Sequence, residues 1–409
     1  MKIEVLNTGS ELLLGQVLNT HLGYISEKLL PLGLRIDRQA TLPDGPAIRD
    51  ALEESLSRAD VIFLTGGLGP TSDDLTRDIL ADFFQIPLDF HADIHEQILA
   101  YFANRKLTPP DSVRVQALVP RGAVVLTNDF GTAPGLYLHR EGKHVFCLPG
   151  PPKELRPMFE NQVLPAIRGL VPDVIALQQK IWKVLGLGES MVQEMVEKQL
   201  RVFPGMEIGY CARPGEVDLR LISSSTTDLA AAEQIVRETL GSSIYAENGQ
   251  SMEEVVVKLA SSKRQTIATA ESCTGGLVAH RLTNIPGASD VFLRGWVTYS
   301  DQSKIDELGV EQLTLRTHGA VSKETAAEMA GGALRHSRAD IALSLTGIAG
   351  PGGGSAEKRV GLVYLGLARL VAGQVTVDVI EKHFGQPREI FKHMAAQHGL
   401  DLIRRALLK

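Results

Sequence analysis

Cysteine is scarce in this 409-residue chain, with three thiols, Cys147, Cys211 and Cys273. Their odd number and wide separation exclude a disulfide framework and a clustered zinc site. Long apolar runs are also missing. No stretch reaches the roughly 18 residues that a membrane span needs, and the longest candidate, GLVYLGLARLVAG, is interrupted by Arg369. Met1 and Lys2 lead straight into an alternating strand without the zones of an export signal, so a cytoplasmic location with no membrane partner is expected. Basic charge is not in excess: 42 Lys and Arg face 48 Asp and Glu, a formal net charge of −6. Neutralising a phosphate backbone takes a concentrated basic surface, so no nucleic-acid partner is expected.

What remains is a globular composition, 44% hydrophobic and 22% charged, on a chain too long for one ordinary core. Three segments follow from the patterning. Over residues 1–170, buried strands (KIEVLNTG, VIFLTGG, KHVFCLPG) alternate with amphipathic helices in which Leu22, Ile25 and Leu29, or Ile48, Leu52 and Leu56, share a face. This predicts a mostly parallel, three-layer α/β domain with its ligand site beyond the carboxyl ends of the strands. Residues 171–249 read as a small split β-α-β domain, whose simplest role is a spacer. Its GLGES turn is a faint, KH-like hint of RNA-type binding without basic flanks. Residues 250–409 form a second α/β layer sandwich that closes with an antiparallel strand pair and a helix carrying Phe391, Met394, Ala395 and Leu402.

In the first segment the strand ends carry glycine, proline and acid together: NTGSE from Asn7, TGGLGPTSDDLT from Thr65, NDFGTAPG from Asn128 and LPGPPKE from Leu148. Gly66, Gly67 and Gly69 open the backbone to a ligand, and Asp73 and Asp74 precede a helix, where a carboxylate is favoured. His91 and His95 share a helical spacing but have no third ligand nearby and read as a solvated face.

In the last segment, ATAESCTGGLVAHRL puts Ser272 and Cys273 where a strand becomes a helix, followed by Gly275 and Gly276. With a helix beginning near Cys273 the stretch could be a phosphate cradle, a nucleophile turn or a serine-capped helix start. A second glycine turn, LSLTGIAGPGGGSAEK, brings Thr346, Gly347 and Gly350 to another strand end. GWVTYSDQSK between them sets Tyr299 and Lys304 on a strand-to-loop stretch.

Taken together, these motifs resemble those of the CinA family, the competence/damage-inducible proteins. TGGLGPTSDDLT, GTAPG and LPGPPKE are similar to its molybdopterin-binding-like front domain; AESCTGG, GWVTYSDQSK and TGIAGPGGG are similar to its C-terminal domain. The resemblance implies a nicotinamide mononucleotide deamidase at the C-terminus. At the N-terminus it implies either binding of a pterin-type molybdenum cofactor intermediate or metal-dependent cleavage of ADP-ribose. Cleavage calls for a divalent ion, Mg, Mn or Co, and Glu11, Asp74 and Glu154 are the acids expected to hold it. The deamidase is expected to use no cofactor. Its chemistry assigns Ser272 as nucleophile and Lys304 as a base with a lowered pKa. Tyr299 becomes a proton relay, Thr346 and the helix amides after Ser272 oxyanion donors, and Arg388 a phosphate partner. Cys273, whose thiol a helix start would activate, is assigned to packing. Arg359 after Lys358, the FGQPR arrangement and Lys392 in place of an arginine depart from the family pattern. The chain is thus expected to be a two-enzyme protein of pyridine nucleotide recycling and a homodimer. The alternatives are a molybdopterin-binding protein with an attached amidase and a non-enzymatic accessory of DNA uptake or recombination. Neither half is expected to need residues from beyond its own segment.

Overall fold

The computed structural model describes residues 1–409 except 173, 174 and 372. The chain divides into two compact units, Met1–Gln178 and Gln179–Lys409. Among the described residues no helix is long and apolar enough to cross a membrane.

The first unit contains β1 (Ile3–Thr8), β2 (Arg38–Leu42), β3 (Val61–Thr65), β4 (Leu88–Phe90), β5 (Leu118–Pro120), β6 (Val124–Leu126), β7 (Gly135–Arg140) and β8 (Lys143–Leu148). Six of them form a sheet in the order β2-β1-β3-β8-β7-β6, and β4 and β5 form a separate ribbon. β2, β1, β3 and β8 run parallel, while β7 and β6 add an antiparallel edge. β1 and β3 are buried along their whole length, because helices cover both faces of the sheet. Leu6, Ile62 and Leu64 pack on one side with Ile48, Leu52, Leu80 and Ile98. Ile3, Val5 and Phe63 pack on the other with Ile25, Leu29, Leu155 and Phe159.

The second unit holds two sheets. β9 (Gln178–Leu185), β10 (Glu207–Arg213), β11 (Glu216–Ser223) and β12 (Ile244–Glu247) form one in the order β10-β11-β9-β12, covered by helices Glu189–Leu200 and Thr226–Leu240. β13 (Ile267–Glu271), β14 (Phe292–Val297), β15 (Ile341–Gly347), β16 (Leu362–Val371) and β17 (Gln374–His383) form the other in the order β14-β13-β15-β16-β17. β14, β13 and β15 are parallel, which places the ends of β13 and β15 on one side of the sheet. One face of this sheet is built from alanines, Ala268, Ala270, Ala342 and Ala368, and takes helix Lys323–Ser337. Small residues let that helix come close. The opposite face packs helices Met252–Lys263, Leu277–Thr283 and Arg388–Leu407. Ser251 and Glu254 form a capping box that starts the first of these.

The small sheet has its own core around Trp182, Leu219 and Val236, yet Leu185, Tyr245 and Ala246 are buried in the same apolar cluster as Phe391, Ala395 and Leu400 of the C-terminal segment. The two sheets of the second unit therefore share a core.

Candidate functional sites

Each unit gathers its sequence-predicted residues at strand ends. In the first, the turns after β1, β3 and β8 and the loop between β6 and β7 border a cleft of about 470 Å³. Glu11, Gly66, Gly67, Gly69, Asp74 and Glu154 all line it, as do Asp44, Tyr101 and Gln116, which sequence reasoning missed. Nothing in a lone PDG turn or a lone glutamine signals such a role.

The acids are held by their own loops. Asp74 Oδ2 accepts the Thr71 amide at 2.9 Å and the Thr71 hydroxyl; Glu154 Oε2 accepts Asn128 Nδ2 at 2.8 Å. Each of the three predicted acids also lies against a glycine. A Cβ on Gly9, Gly69 or Gly131 would overlap the carboxylate of Glu11, Asp74 or Glu154 respectively. The glycines of these loops thus make room for carboxylates as well as for a ligand. Among the described residues no three His, Cys, Asp or Glu side chains stand together as a metal cage. A donor set of separate carboxylates around a cleft still suits magnesium, which keeps waters and binds through one or two carboxylates plus the substrate's phosphate oxygens. His91 and His95 stand apart from this cleft.

In the second unit Ser272 directly follows β13, and its amide donates to Leu345 O at 2.9 Å. Lys304 lies on helix Asp301–Leu308, whose start Ser300 caps by accepting the Ser303 amide at 3.1 Å. The strand-to-loop placement is corrected accordingly: the helix turns Lys304 inward. Its side chain is 1% exposed, with Nζ 3.3 Å from Ser272 Oγ. Nζ also donates to the carbonyls of Thr298 at 2.9 Å and of Tyr299 and Ser300 at 3.4 Å. Burial pulls the lysine pKa below its ordinary value.

Cys273 has the opposite character. It is buried, and burial pushes its thiol up to about 12, so the activation that a helix start would confer is absent. The helix itself begins at Leu277, four residues later than the sequence suggests. Its N-terminus is already filled. The buried Glu271 carboxylate accepts the amides of Val278 at 3.1 Å and Ala279 at 2.9 Å and the Thr274 hydroxyl at 2.7 Å. The expected oxyanion role of those helix amides is corrected on this ground. Thr346 is corrected likewise, because its hydroxyl donates to Ala320 O at 2.6 Å.

Arg388 opens helix Arg388–Leu407 and donates Nη2 to the Tyr299 hydroxyl at 2.9 Å and Nη1 to Gly350 O at 3.1 Å. It ties the GWVTYSDQSK stretch to the glycine turn after β15. Tyr299 is 62% exposed and open to a substrate. One turn further on, Lys392 extends its Nζ to the space beside Gly275, 3.7 Å from where a Cβ would stand. Gly276 adopts φ +90° directly before the helix. Gly347 is close-packed on backbone, with a Cβ there falling 2.7 Å from Leu362 O. Lys358 donates to His318 O, whereas Arg359 is exposed.

Comparison with known families places three matches along the chain: a probable molybdopterin binding domain over residues 4–169, the damage-inducible protein CinA KH domain over 179–246, and the CinA C-terminal domain over 249–407. A putative competence-damage inducible protein of Caldicellulosiruptor bescii is 42% identical over 415 residues, covering 100% of both chains. A CinA-like protein of Akkermansia muciniphila is 42% identical over 404 residues, 98% of this chain and 96% of that one. Among solved structures, a competence/damage inducible protein of Agrobacterium tumefaciens is 43% identical, covering 39% of this chain and 94% of its own, with a TM-score of 0.36.

Proposed function

The chain belongs to the CinA family, and within it we propose that the second unit is a serine–lysine amidase acting on nicotinamide mononucleotide. The observation that carries this reading is a buried amine 3.3 Å from a serine hydroxyl at a strand end. Neutral Lys304 takes the Ser272 proton as Oγ attacks the carboxamide carbon. The resulting ammonium returns a proton to the departing nitrogen, through the Tyr299 hydroxyl or directly, and ammonia leaves an acyl-serine. Water, deprotonated by Lys304, then releases the pyridine acid and restores Ser272. Carbonyls around Nζ accept from the ammonium and, two at a time, from the neutral amine, which leaves its lone pair for the Ser272 proton. Oxyanion stabilisation falls to the amides of Cys273 and Thr274, ahead of the Gly275 amide that Ser272 O occupies and those that Glu271 occupies. Arg388 and Lys392 supply the cations that a nucleotide phosphate requires.

For the first unit we propose binding and cleavage of ADP-ribose at its pyrophosphate in the glycine and acid cleft. Glu11, Asp74 and Glu154 would hold a divalent ion there, which when bound supplies charge neutralisation at the phosphates. The glycine turns give the ligand backbone access, and Tyr101 offers an aromatic surface to its base. Purified full-length protein should release ammonia from nicotinamide mononucleotide without added metal, and AMP from ADP-ribose only with it. Tight pterin binding with no turnover in any metal would replace the second half of the proposal. Absence of ammonia would remove the first.

A further inference from the structure

The small middle sheet reaches the amidase helices through one buried amide. Gln397, 2% exposed, lies about two and a half turns along the helix that begins with Arg388. Its Nε2 donates to Glu216 Oε2 at 2.7 Å, across to β11 of the middle sheet. Its Oε1 accepts Arg281 Nη2 at 2.5 Å. Arg281 lies on the helix that follows the Ser272 turn and pairs with Glu253 at 2.6 Å. One side chain therefore joins both arms of the site, the helix after Ser272 and the helix bearing Arg388 and Lys392, to a single carboxylate of the middle sheet.

That carboxylate is itself fixed. Glu216 accepts the Tyr245 hydroxyl and pairs with Lys183 at 3.4 Å. Tyr245 is 5% exposed, and its burial raises the phenol pKa, so it stays a donor. Two further contacts set the same helix against the same sheet. Arg404 Nη2 donates to Ser242 O at 2.9 Å and its Nη1 to Ile244 O at 3.3 Å. The turn at Gly215, φ +83°, packs on Met394. Within a largely apolar contact, helix Arg388–Leu407 thus presents hydrogen-bonded polar groups to the middle sheet at Gln397 and Arg404, as expected of a contact that sets position and not only burial.

We propose that the middle sheet is a positioning element of the amidase site: through Glu216, Gln397 and Arg281 it sets where Arg388 and Lys392 stand relative to Ser272, and so how tightly the substrate phosphate is held. This rests on the amidase reading. Glu216, Gln397 and Arg281 are positioning residues, remote from the reacting atoms.

The test uses the full chain and reads two quantities. Gln397→Leu, which removes the donor to Glu216, and Gln397→Glu, which sets a second carboxylate against it, should each raise KM for nicotinamide mononucleotide roughly tenfold while kcat changes less than about twofold, because ground-state phosphate binding is what they loosen. Adding Glu216→Gln to Gln397→Glu, the exchanged pair, replaces that repulsion with an amide donor facing a carboxylate and keeps an acceptor for Arg281. It should return KM to within about twofold of the wild-type value. Amide hydrogen exchange over residues 388–392 should speed up in the single variants and recover in the exchanged pair; this readout needs no turnover, so it stands if the amidase reading fails. Unchanged KM and exchange in both single variants, a fall in kcat at constant KM, or no recovery in the exchanged pair would overturn the proposal. If Gln397→Leu does not fold, the same outcomes are read from Gln397→Glu, which keeps size and shape.

Discussion

Glycine serves different ends in the two units. In the cleft of Met1–Gln178, the atoms that a Cβ would strike at Gly9, Gly69 and Gly131 are carboxylate oxygens at the ends of mobile side chains. In the C-terminal segment they are main chain: Leu362 O at Gly347 of β15, and Leu308 O at Gly332 of helix Lys323–Ser337, where two helices cross. A side chain can swing away, and a packed backbone cannot. Crowding at those three positions should therefore misplace functional groups at little cost to the fold, while crowding at Gly347 or Gly332 should cost stability. The electrostatics diverge in the same way. The acids of the first cleft stand apart on separate loops, whereas the second site buries one lysine against one serine and caps its helix with an internal carboxylate.

The sharpest way to separate the two regions is Ser272→Ala, which should lower ammonia release at least about 10⁴-fold and leave ADP-ribose cleavage unchanged in the same preparation. Next, Asp74→Asn should cut metal-dependent AMP release roughly 100-fold with ammonia release intact. Loss of both activities from either variant would show that the units do not work independently. Gly347→Ala should destabilise the second unit by about 1–3 kcal/mol, read as a lower Tm. Gly131→Ala should leave Tm nearly unchanged while weakening AMP release, because Glu154 is displaced; the reverse pattern would break the contrast. At the small end, Cys273→Ala should alter ammonia release less than about twofold, and a thiol reagent should modify the exposed Cys211 while sparing Cys273 and Cys147.

The pH dependence carries a definite sign. Lys304 must be neutral to act as base, and burial lowers its pKa. Ammonia release should then rise with pH along a limb centred below the ordinary lysine value of about 10.4. Stability runs in the same direction. The folded state binds the Lys304 proton less tightly than the unfolded chain, so its penalty is fully present below the folded pKa. That penalty is relieved as pH rises from the folded value towards the unfolded one. A limb at or above the ordinary lysine value would remove Lys304 as the base.

Much of this was readable in the sequence because the signals are local. Contiguous buried runs such as VIFLT specify central parallel strands, and the serine–glycine and glycine–acid turns mark the strand ends where the site residues meet. What escaped was set by partners far along the chain or by competition for hydrogen bonds. Gln397 and Glu216 are 181 positions apart, so no pattern announces that the middle sheet docks on the last helix. Glu271 looks like one more strand residue, and its capture of the Val278 and Ala279 amides shows only once strand and helix are folded together. Thr346 has the right type and place for an oxyanion donor, but Ala320 O claims its proton first. Lys304 is named as the base on the resemblance alone, and its inward direction shows only once the Ser300 cap starts a helix where a strand-to-loop stretch was expected.

The carboxylate at the start of helix Leu277–Thr283 has a bearing on how a catalytic cycle would finish. Hydrolysis of an acyl-serine leaves a newly made carboxylate next to Ser272, and an open helix N-terminus there would retain it by the same attraction that binds phosphates. Glu271 already occupies those amides from within the protein. An acid product would therefore meet the turn amides that held the oxyanion and the Lys304 amine, but not the attraction of the helix end, which Glu271 already fills. Weak inhibition by the acid product, with the phosphate as its main hold, is the kinetic signature this arrangement should leave.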